Sequence, residues 1–541
     1  MLKVFVDNGI DKAYIVPGES YLGVLDAMND FPELDVVVCR HEGGAAFMAE
    51  VDGKLTGRPG LVMVSRGPGA TNAAIGVHAA QQDGVPLILL IGQIPKRDLR
   101  KDAFQEIDYQ RMFGSMAKWV YEVTTPEDLE AAAFKAVRVS TSGVPGPVVL
   151  VIPEDIQQQS VKLHKLLHVP ASPTVTSVSL LEQIKEKISG AKRPLIIAGG
   201  MIGRDEGGRE SLLTFSEKFN IPVAASFRQN DLFPNDHRLY AGHLDFASSK
   251  EQIELLSSCD LLIALGTRLG DITTQGYTFP SEPRPSQFLI HCVPDYQYLN
   301  KTFVADIGLA TDPVYLLNDL LEFDESTKLK EDRLRWADAV QQMQQKISQW
   351  PISSPIDGIY FPYVVKALEE QAPDDLIICL DTGTFAASVY KNFAFTQRQR
   401  LVASKSGAMG HGVPAAIVAQ MRSPDAKVVC LIGDGGFLMT GNEVIAAVER
   451  NLPILIILSN NSSYGSIRVH QNRFYPERHK GTTLTNPNFV SIAKAFGMAA
   501  EIVEDNTQIH AAIDRGLRAQ GPYLIEVKTS LQASLCHPQP A

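Results

Sequence analysis

An acidic residue and two asparagines stand at the ends of two successive apolar stretches in the last quarter of the sequence. The segment KVVCLIGDGG (427–436) predicts a buried strand that ends just before Asp434, and LPILIILSNN (452–461) predicts a second strand that ends at Asn461. Adjacent parallel strands end at the same edge of their sheet, and open α/β sheets bind ligands at that edge. We therefore expect Asp434 and Asn461 to be neighbours in the folded chain.

A carboxylate and an amide oxygen are hard ligands that suit Mg²⁺, whose octahedral shell is completed by water and phosphate oxygens. The glycines around Asp434 let the backbone approach a phosphate closely, and a following helix favours an anion at its N-terminus. The alternative is a plain strand–turn–helix, in which Asp434 caps the helix and Asn461 lies in a turn. The two motifs together favour a site for Mg²⁺ and a diphosphate.

Glu42 is a second candidate for chemistry. It follows the apolar strand DVVVC (35–39) and opens a helix of small residues, GGAAFMAEVDGKLTG (43–57). A carboxylate in this position either interacts with the helix dipole or serves as an acid in a site. Taken alone, the residue favours the first interpretation.

The sequence predicts the elements that would position these groups. Short apolar runs alternate with helical patterns, which is typical of parallel sheets covered by helices on both faces. The pattern restarts after a polar stretch at 157–177, and again after a charged helix at 327–350. The predicted fold class is therefore α/β, with three doubly wound parallel-sheet domains at 1–160, 178–325 and 355–541.

Composition limits the classes of function. The chain of 541 residues has a net charge of −11 and no long basic run, which argues against nucleic acid as its main partner. No stretch approaches the roughly 20 apolar residues of a membrane-spanning helix. The N-terminal MLKVFVDNG mixes charge into its apolar run, unlike a secretory signal. No C-x-x-C pair occurs among the six cysteines, which predicts free thiols and a cytoplasmic location: Cys39, Cys259, Cys292, Cys379, Cys430 and Cys536.

The GDG motif followed by NN resembles the cofactor motif of the thiamine diphosphate-dependent enzymes. This resemblance implies a pyrimidine-binding, a central and a diphosphate-binding domain. It implies that Mg²⁺ is held by Asp434, Asn461 and the backbone carbonyl of Ser463, and that the metal bridges to the diphosphate. It also implies cofactor contacts from the turns of the site, at Gly18, Gly433, Gly435, Gly436, Tyr464 and Gly465.

The same resemblance gives Glu42 a catalytic role. In this family a glutamate at this place lies beside N1′ of the aminopyrimidine ring and drives the ring to its imino form, which takes the proton from C2 of the thiazolium. The segment SKSGAMGHGVPAA (404–416) resembles the stretch that bends the cofactor. There the Gly407 carbonyl would accept from the 4′-amino group and Met409 would lie between the rings, although a lone methionine is otherwise core filler. Because such enzymes combine the glutamate of one subunit with the diphosphate site of another, we expect at least a homodimer, and a homotetramer as the full assembly.

Nearly the whole chain resembles the acetolactate synthase large-subunit group most closely, through segments such as VPGES (16–20), RHEGGAAFMAE (40–50), DAFQE (102–106) and NRFY (472–475). This implies decarboxylation of a 2-oxo acid, with pyruvate favoured, and addition of the resulting enamine to a second carbonyl compound. Arg268 would grip a carboxylate through two hydrogen bonds, or else be a surface arginine after a strand. The matched positions imply catalytic roles for Gln105 and Lys118, and a substrate pocket of Phe104, Arg268, Ile467 and His470.

The chain also departs from this group. His470 stands near the place of a family tryptophan, which points to a different or larger substrate if the histidine is a pocket residue rather than a solvated one. The stretches AGGMIG (198–203) and IHCVPDYQY (290–298) replace the glycine triplet and the I-D-I-D-P stretch of the family's flavin site, so FAD is disfavoured. Three alternatives stay open: a thiamine-dependent lyase or decarboxylase for another 2-oxo acid or a 2-hydroxyacyl-CoA, a flavin-dependent pyruvate oxidase, and a non-enzymatic binding protein, against which Glu42 counts. The sequence leaves a regulatory subunit open.

Overall fold

The computed structural model describes residues 1–161, 175–204, 207–323 and 331–535. These residues form three six-stranded sheets whose paired strands run parallel. This confirms the predicted α/β fold with three parallel sheets. The polar stretch at 157–177 lies largely outside the described residues, as does Cys536, and the domain bounds stay predictions.

The first sheet has the strand order β2-β1-β3-β4-β6-β5. Its strands are β1 Lys12–Ile15, β2 Asp35–Val38, β3 Gly60–Val64, β4 Leu87–Gln93, β5 Trp119–Glu122 and β6 Pro147–Pro153. The helices of this domain are α1 Leu2–Asp7, α2 Leu22–Ala27, α3 Glu42–Thr56, α4 Gly67–Asp83, α5 Tyr109–Phe113, α6 Asp128–Thr141 and α7 Glu154–Gln157. Strands β3, β4 and β6 are buried at every position, which explains their continuous apolar sequences.

The central sheet has the order β12-β11-β10-β7-β8-β9. Its strands are β7 Pro194–Ala198, β8 Val223–Ala225, β9 Tyr240–His243, β10 Leu261–Leu265, β11 Phe288–Cys292 and β12 Ile307–Leu309. The helices are α8 Val178–Gly190, α9 Gly208–Phe219, α10 Lys250–Ser257, α11 Pro313–Leu321 and α12 Glu331–Ile347.

The third sheet has the order β14-β13-β15-β16-β18-β17. Its strands are β13 Ile377–Leu380, β14 Arg400–Val402, β15 Val428–Gly433, β16 Leu455–Asn460, β17 Ala499–Val503 and β18 Tyr523–Lys528. The helices are α13 Phe361–Gln371, α14 Ala387–Lys391, α15 Gly412–Arg422, α16 Asp434–Thr440, α17 Val444–Glu449, α18 Gly465–Phe474, α19 Phe489–Ala495, α20 Ile509–Arg518 and α21 Leu531–Leu535.

The first and third domains share one hydrophobic core, because α3 packs against α15 through alanines such as Ala46 and Ala416. A buried pair crosses this contact, with His411 Nε2 2.9 Å from Glu50 Oε2. At its edge the Arg422 guanidinium binds Asp11 and Asp52 together. The central domain has cores of its own. None of the helices in the described ranges combines the length and apolar character that crossing a membrane requires.

Candidate active site

The GDG and NN motifs meet at the carboxyl edge of the third sheet. Strands β15 and β16 are neighbours, with Gly433 opposite Ser459, so Asp434 begins α16 beside the point where β16 ends. The Asp434 carboxylate is buried and accepts the backbone N–H of Gly435 at 2.8 Å. The structure therefore brings Asp434 together with the turn that contains Asn461.

That turn is itself well ordered by hydrogen bonds. Asn461 Oδ1 accepts the backbone N–H of Ser463 at 3.0 Å, and the Ser463 hydroxyl donates to the Thr482 carbonyl at 2.8 Å. Ser462 has a φ of 53°, which reverses the chain between the two asparagines and α18. The turn thus holds an amide oxygen and backbone carbonyls close to a buried carboxylate, the donor set that a hard cation prefers.

Asn486 completes the surroundings of Asp434. Sequence reasoning missed it because it lies in a polar loop 52 residues downstream, outside any motif. Its Nδ2 donates to Asp434 Oδ2 at 2.7 Å and to Asn460 Oδ1 at 2.9 Å. Its Oδ1 is buried and has no hydrogen-bond partner among the described residues. A hydrated cation bound at Asp434 would supply the missing donor, so this orphaned oxygen fits a metal site.

Burial raises the pKa of the Asp434 carboxyl. Hydrogen bonds from the Asn486 amide and from the backbone N–H groups of Gly435, Ser462 and Ser463 act in the opposite direction and favour the ionised form. A divalent cation would favour that form further. The donors around Asp434 therefore fit a carboxylate that would bind a divalent cation.

Glycines around Asp434 and Asn461 let neighbouring side chains pack directly against the backbone. A Cβ at Gly435 would lie 2.5 Å from the Tyr464 ring, and a Cβ at Gly465 would lie 3.0 Å from Asn461 Nδ2 and 3.1 Å from Thr384 Oγ1. Gly433 and Gly436 are similarly close to Phe385 and Asp381. These contacts explain why glycine is required at the four positions. A phosphate cradle formed by this backbone stays a prediction from the sequence. Sequence reasoning missed Thr384, which follows the end of β13 at the same edge.

A buried carboxylate, Asp381, holds the loop that carries Gly407 and Met409. Asp381 accepts the backbone N–H groups of Gly410 at 3.2 Å and of Gly412 at 2.9 Å, while burial raises its pKa. Gly407 has a φ of 69° and no atom within 4 Å of a Cβ position, so the backbone conformation alone requires glycine here. Met409 is half-buried on this loop.

Glu42 lies in the first domain, at the start of α3. Its Oε2 accepts a hydrogen bond from Asn72 Nδ2 at 2.9 Å, and its Oε1 lies 3.4 Å from a Cβ position on Gly69 near the N-terminus of α4. The preceding His41 caps α3 by accepting the N–H of Gly43. Within the described parts of one chain, no hydrogen bond joins Glu42 to Asp434 or Asn461.

Glu443 reaches the turn before Glu42 from the third domain, and the sequence analysis did not select it. Its buried carboxylate accepts the N–H of Arg40 at 3.1 Å and the N–H of His41 at 2.9 Å. Burial raises the pKa of Glu443, and these two N–H groups oppose the shift. A Cβ on Gly44 would lie 2.7 Å from Glu443 Cγ, so the close approach depends on glycine.

Gln105 also lies near α4. Its backbone has a φ of 66°, and its carbonyl accepts the N–H of Gly67 at 3.1 Å. The side chain of Phe104 is 79% exposed. Gly18 lies against Ser65, where a Cβ would come within 2.6 Å of Ser65 Cβ. Gln105 and Glu42 therefore flank the same helix N-terminus.

Ile467 and His470 lie on α18, the helix that leaves the asparagine turn. Ile467 is 54% exposed, and the His470 ring is parallel to that of Phe474 with their centroids 6.4 Å apart. Gly465 is the only buried residue of α18. The structure therefore places both predicted pocket residues beside the metal motif on an uncovered helix.

Within one chain the structure does not bring Lys118 to the site, and its catalytic role stays a prediction. Lys118 precedes β5 at the amino edge of the first sheet, opposite to the edge where ligands bind. Its ammonium donates to the carbonyls of Ser142 and Val144, and burial lowers the pKa of Lys118 to about 8. The family motif predicted a lysine at position 118, but it did not predict at which edge of the sheet this lysine lies.

The Arg268 side chain also forms its hydrogen bonds away from the candidate site. Its guanidinium donates to the carbonyls of Gln81 and Gln82 at the C-terminus of α4 and lies 5.6 Å from the Tyr298 ring centroid. These contacts tie the central domain to the first one. Carboxylate recognition by Arg268 would require those hydrogen bonds to break, so the structure supports neither the pocket role nor the alternative of a free surface arginine.

The crevice at the carboxyl edge of the central sheet was the predicted place for a flavin, if one binds. Between β7 and β10, a Cβ at Gly199 would lie 2.3 Å from the Gly266 carbonyl, and a Cβ at Gly200 would lie 2.5 Å from Gln229 Oε1. These contacts require glycine at both positions. That FAD is disfavoured stays a prediction from the sequence.

A group of charged side chains lies where the three domains meet. The buried Asp83 carboxylate accepts hydrogen bonds from Lys54 Nζ at 2.5 Å and from the backbone N–H of Lys405 at 2.6 Å. Burial lowers the pKa of the Lys405 ammonium to about 7, although Asp83 acts in the opposite direction. Lys405 is only two residues from Gly407.

Models of thiamine pyrophosphate enzymes match three parts of this chain: the N-terminal TPP binding domain at 1–112, the central domain at 181–320 and the C-terminal TPP binding domain at 381–527. The central sheet lies within its match, and the first and third sheets overlap the other two matches. The Asp434 and Asn461 motifs lie in the C-terminal match, and Glu42 lies in the N-terminal match.

Acetolactate synthases are similar to the chain over nearly its whole length. The isozyme 2 large subunit of Escherichia coli (strain K12) is 32% identical over 96% of this chain and 93% of its own length. The large subunit of Lactococcus lactis subsp. lactis (strain IL1403) is 30% identical over 98% of this chain and 92% of its own length. The probable large subunit of Methanocaldococcus jannaschii is 29% identical over 97% and 90% of the two chains. These findings confirm the resemblance seen in the sequence: the chain belongs to the thiamine pyrophosphate enzymes, a class that forms or cleaves carbon–carbon bonds.

Proposed function

We propose that this protein decarboxylates a 2-oxo acid, with pyruvate favoured, and joins the resulting two-carbon unit to a second carbonyl compound, with thiamine diphosphate and Mg²⁺ as cofactors. One observation carries the proposal: the buried Asp434 lies against the asparagine turn at one sheet edge, with an orphaned amide oxygen beside it. The similarity to acetolactate synthases over nearly the full length supports this reaction above others of the family.

Asp434, Asn461 and the Ser463 carbonyl would hold Mg²⁺, and the unsubstituted backbone near Gly435 and Gly465 would accept the diphosphate. The cofactor, when bound, supplies the electron sink on which the carboxyl group of the substrate is lost. Glu42 would hold a proton at the pyrimidine ring, with Asn72 fixing the direction of its carboxylate. Gln105, on the other side of the α4 N-terminus, would orient the substrate, and Phe104 would shield it from water.

The proposed assembly rests on the family resemblance. Because such enzymes combine the glutamate of one subunit with the diphosphate site of another, we propose that a second copy completes the site, in a homodimer at least. The homotetramer and the cytoplasmic location remain predictions from the sequence.

A second candidate is a lyase or decarboxylase that acts on another 2-oxo acid or on a 2-hydroxyacyl-CoA. The observation that favours it is α18, where an imidazole at position 470 stands near the place of a family tryptophan and lies uncovered beside the metal motif. A polar side chain in place of an indole would suit a larger or more polar substrate. The relatives give no support to the flavin-dependent oxidase.

The experiment is an acetoin colour test after the protein is incubated with pyruvate, Mg²⁺ and thiamine diphosphate and the product is decarboxylated with acid. Colour is expected with the wild type and not with Glu42→Gln. A panel of 2-oxo acids, followed by CO₂ release, then tests the second candidate. Release from another acid without release from pyruvate would favour that candidate, and no release from any member would contradict both.

A further inference from the structure

Buried polar groups connect the Asp434 carboxylate to a strand two positions away in the same sheet. Asn486 Nδ2 donates to both Asp434 Oδ2 and Asn460 Oδ1. Asn460 Nδ2 in turn donates to Glu526 Oε1 at 2.7 Å, and Lys528 Nζ forms an ion pair with the same oxygen. We call this arrangement the polar chain. It begins at Asp434, just after β15, crosses the end of β16 and reaches β18, and its members are Asp434, Asn486, Asn460, Glu526 and Lys528.

Most of the polar chain is closed to solvent. Asp434, Asn460 and Glu526 are 3%, 4% and 2% exposed, whereas the Lys528 side chain is 42% exposed. In surroundings of low polarity each hydrogen bond is stronger and each unpaired group is more costly. The orientation of every amide in the polar chain is therefore determined by its neighbours.

Asn486 has a particular place in this arrangement. Its amide nitrogen serves two acceptors at once, Asp434 Oδ2 and Asn460 Oδ1, so its amide plane is fixed from two sides. Asn460 cannot turn away because its own nitrogen is held by Glu526, whose charge is balanced by Lys528. A rotation of the Asp434 carboxylate would break the first of these bonds and leave a buried donor unpaired.

We propose that Asn486 is a positioning residue for the metal site, and that Asn460, Glu526 and Lys528 hold it in place, so that Asp434 keeps one orientation toward a divalent cation. This rests on the Mg²⁺ and diphosphate site of the proposed function. Groups that hold a metal ligand through hydrogen bonds change metal affinity by about 10- to 100-fold when they are removed. The polar chain extends that influence to Lys528, which contacts neither Asp434 nor the asparagine turn in the described hydrogen bonds.

The test measures the Mg²⁺ concentration at which half of the protein retains thiamine diphosphate in equilibrium dialysis. Asn486→Ala should raise this concentration by about 10-fold or more, and Lys528→Met, at the exposed end, should raise it by about 3-fold because Glu526 loses its counter-charge. The matched control is Asn488→Ala, which removes the cap of α19 from the same loop without touching Asp434. Its half-saturating Mg²⁺ concentration should stay within about 2-fold of the wild type, on the scale of these effects.

The outcomes separate the two proposals. If the wild type retains the cofactor equally well with and without Mg²⁺, the proposed metal site itself is overturned. If the wild type requires Mg²⁺ but Asn486→Ala and Lys528→Met behave like it, only the positioning role is overturned. Lys528→Met keeps the test valid if Asn486→Ala does not fold. The double variant should need no more Mg²⁺ than Asn486→Ala alone, and additive effects would contradict a continuous polar chain.

Discussion

The Glu443 carboxylate accepts a hydrogen bond from the backbone N–H of His41 at 2.9 Å, across 402 residues of sequence. Glu443 ends the short helix Gly441–Glu443 that continues α16, whose first residue is Asp434. His41 is the residue before Glu42. One helical segment of the third domain thus carries Asp434 of the proposed metal site at one end and contacts the turn of the candidate acid at the other.

This contact predicts a stability effect. Glu443→Ala leaves the N–H groups of Arg40 and His41 unpaired in a buried place, so we expect the free energy of unfolding to fall by about 2–4 kcal/mol. Urea unfolding measures it. The control is Glu449→Ala, which removes the exposed ion pair with Arg40 and should cost at most about 1 kcal/mol. Equal losses in the two variants would contradict the assigned role of Glu443.

Glu42→Gln should preserve cofactor affinity and lower the rate of CO₂ release by at least about 100-fold, because an amide cannot exchange a proton with the pyrimidine ring. Equilibrium dialysis and a CO₂ assay measure the two quantities separately. Glu33→Gln changes an exposed glutamate of the same domain and should leave both unchanged. A fully active Glu42→Gln protein would remove Glu42 from the mechanism.

Removal of the metal gives a third prediction. Asp434→Ala should weaken the binding of thiamine diphosphate by about 100-fold when Mg²⁺ is present, because its carboxylate would be the charged ligand of the proposed metal site. With EDTA the wild type should bind as weakly as the variant, and activity should return only when Mg²⁺ and cofactor are added together. Asp425→Ala, exposed at the amino edge of the sheet, is the control. Unchanged affinity in Asp434→Ala would count against the site.

Gly407→Ala tests the loop that carries Met409. The glycine has a φ of 69° and open space around it, so alanine should cost about 1–2 kcal/mol of stability through the backbone alone. Gly276→Ala has the same conformation and the same open space in the central domain. Both variants should lose similar stability in urea unfolding, and only Gly407→Ala should also lose cofactor affinity. A loss of affinity in both would show a general effect of instability.

Lys405 predicts a dependence of stability on pH. Its pKa is lowered to about 7 in the folded chain, whereas an unfolded lysine has a pKa of about 10.4. The folded state releases the proton first, so the destabilising effect of the buried ammonium is full below pH 7 and is lost as the pH rises from about 7 to about 10.4. Lys405→Met keeps the backbone N–H that binds Asp83 and should raise the urea midpoint more at pH 6 than at pH 9. Lys494→Met, on an exposed helix position, should show no such difference between the two pH values.

The sequence predicted the parts of this molecule that depend on local patterns. Apolar runs such as 427–433 and 452–460 became strands, and the motif after each strand lies at the carboxyl edge, because strand burial and parallel pairing determine where the chain turns. Gly407 was selected for a carbonyl contact to the cofactor, which stays a prediction, and the structure adds that its φ is 69°. These inferences need only neighbours in sequence and the geometry of a parallel sheet.

Contacts between distant segments could not be predicted in this way. Glu443 and Asn486 are ordinary polar residues in sequence, and only the packing of α3 on α15 and of the 482–486 loop on the asparagine turn gives them their partners. Lys118 and Arg268 matched family positions, yet their hydrogen bonds are made with Ser142 and Gln81 in other parts of the fold. A residue type at a motif position does not determine the direction of a long side chain.

The core shared by α3 and α15 has a consequence for synthesis of the chain. One face of α3 packs on α4 and β3 within the first domain, but its other, alanine-rich face reaches its partners only when residues 413–419 exist, and those emerge from the ribosome after three quarters of the polypeptide has been made. Contacts of such long sequence separation form slowly. The alanine face of the nascent first domain therefore stays unpaired during most of translation, where a chaperone would have its longest opportunity to bind.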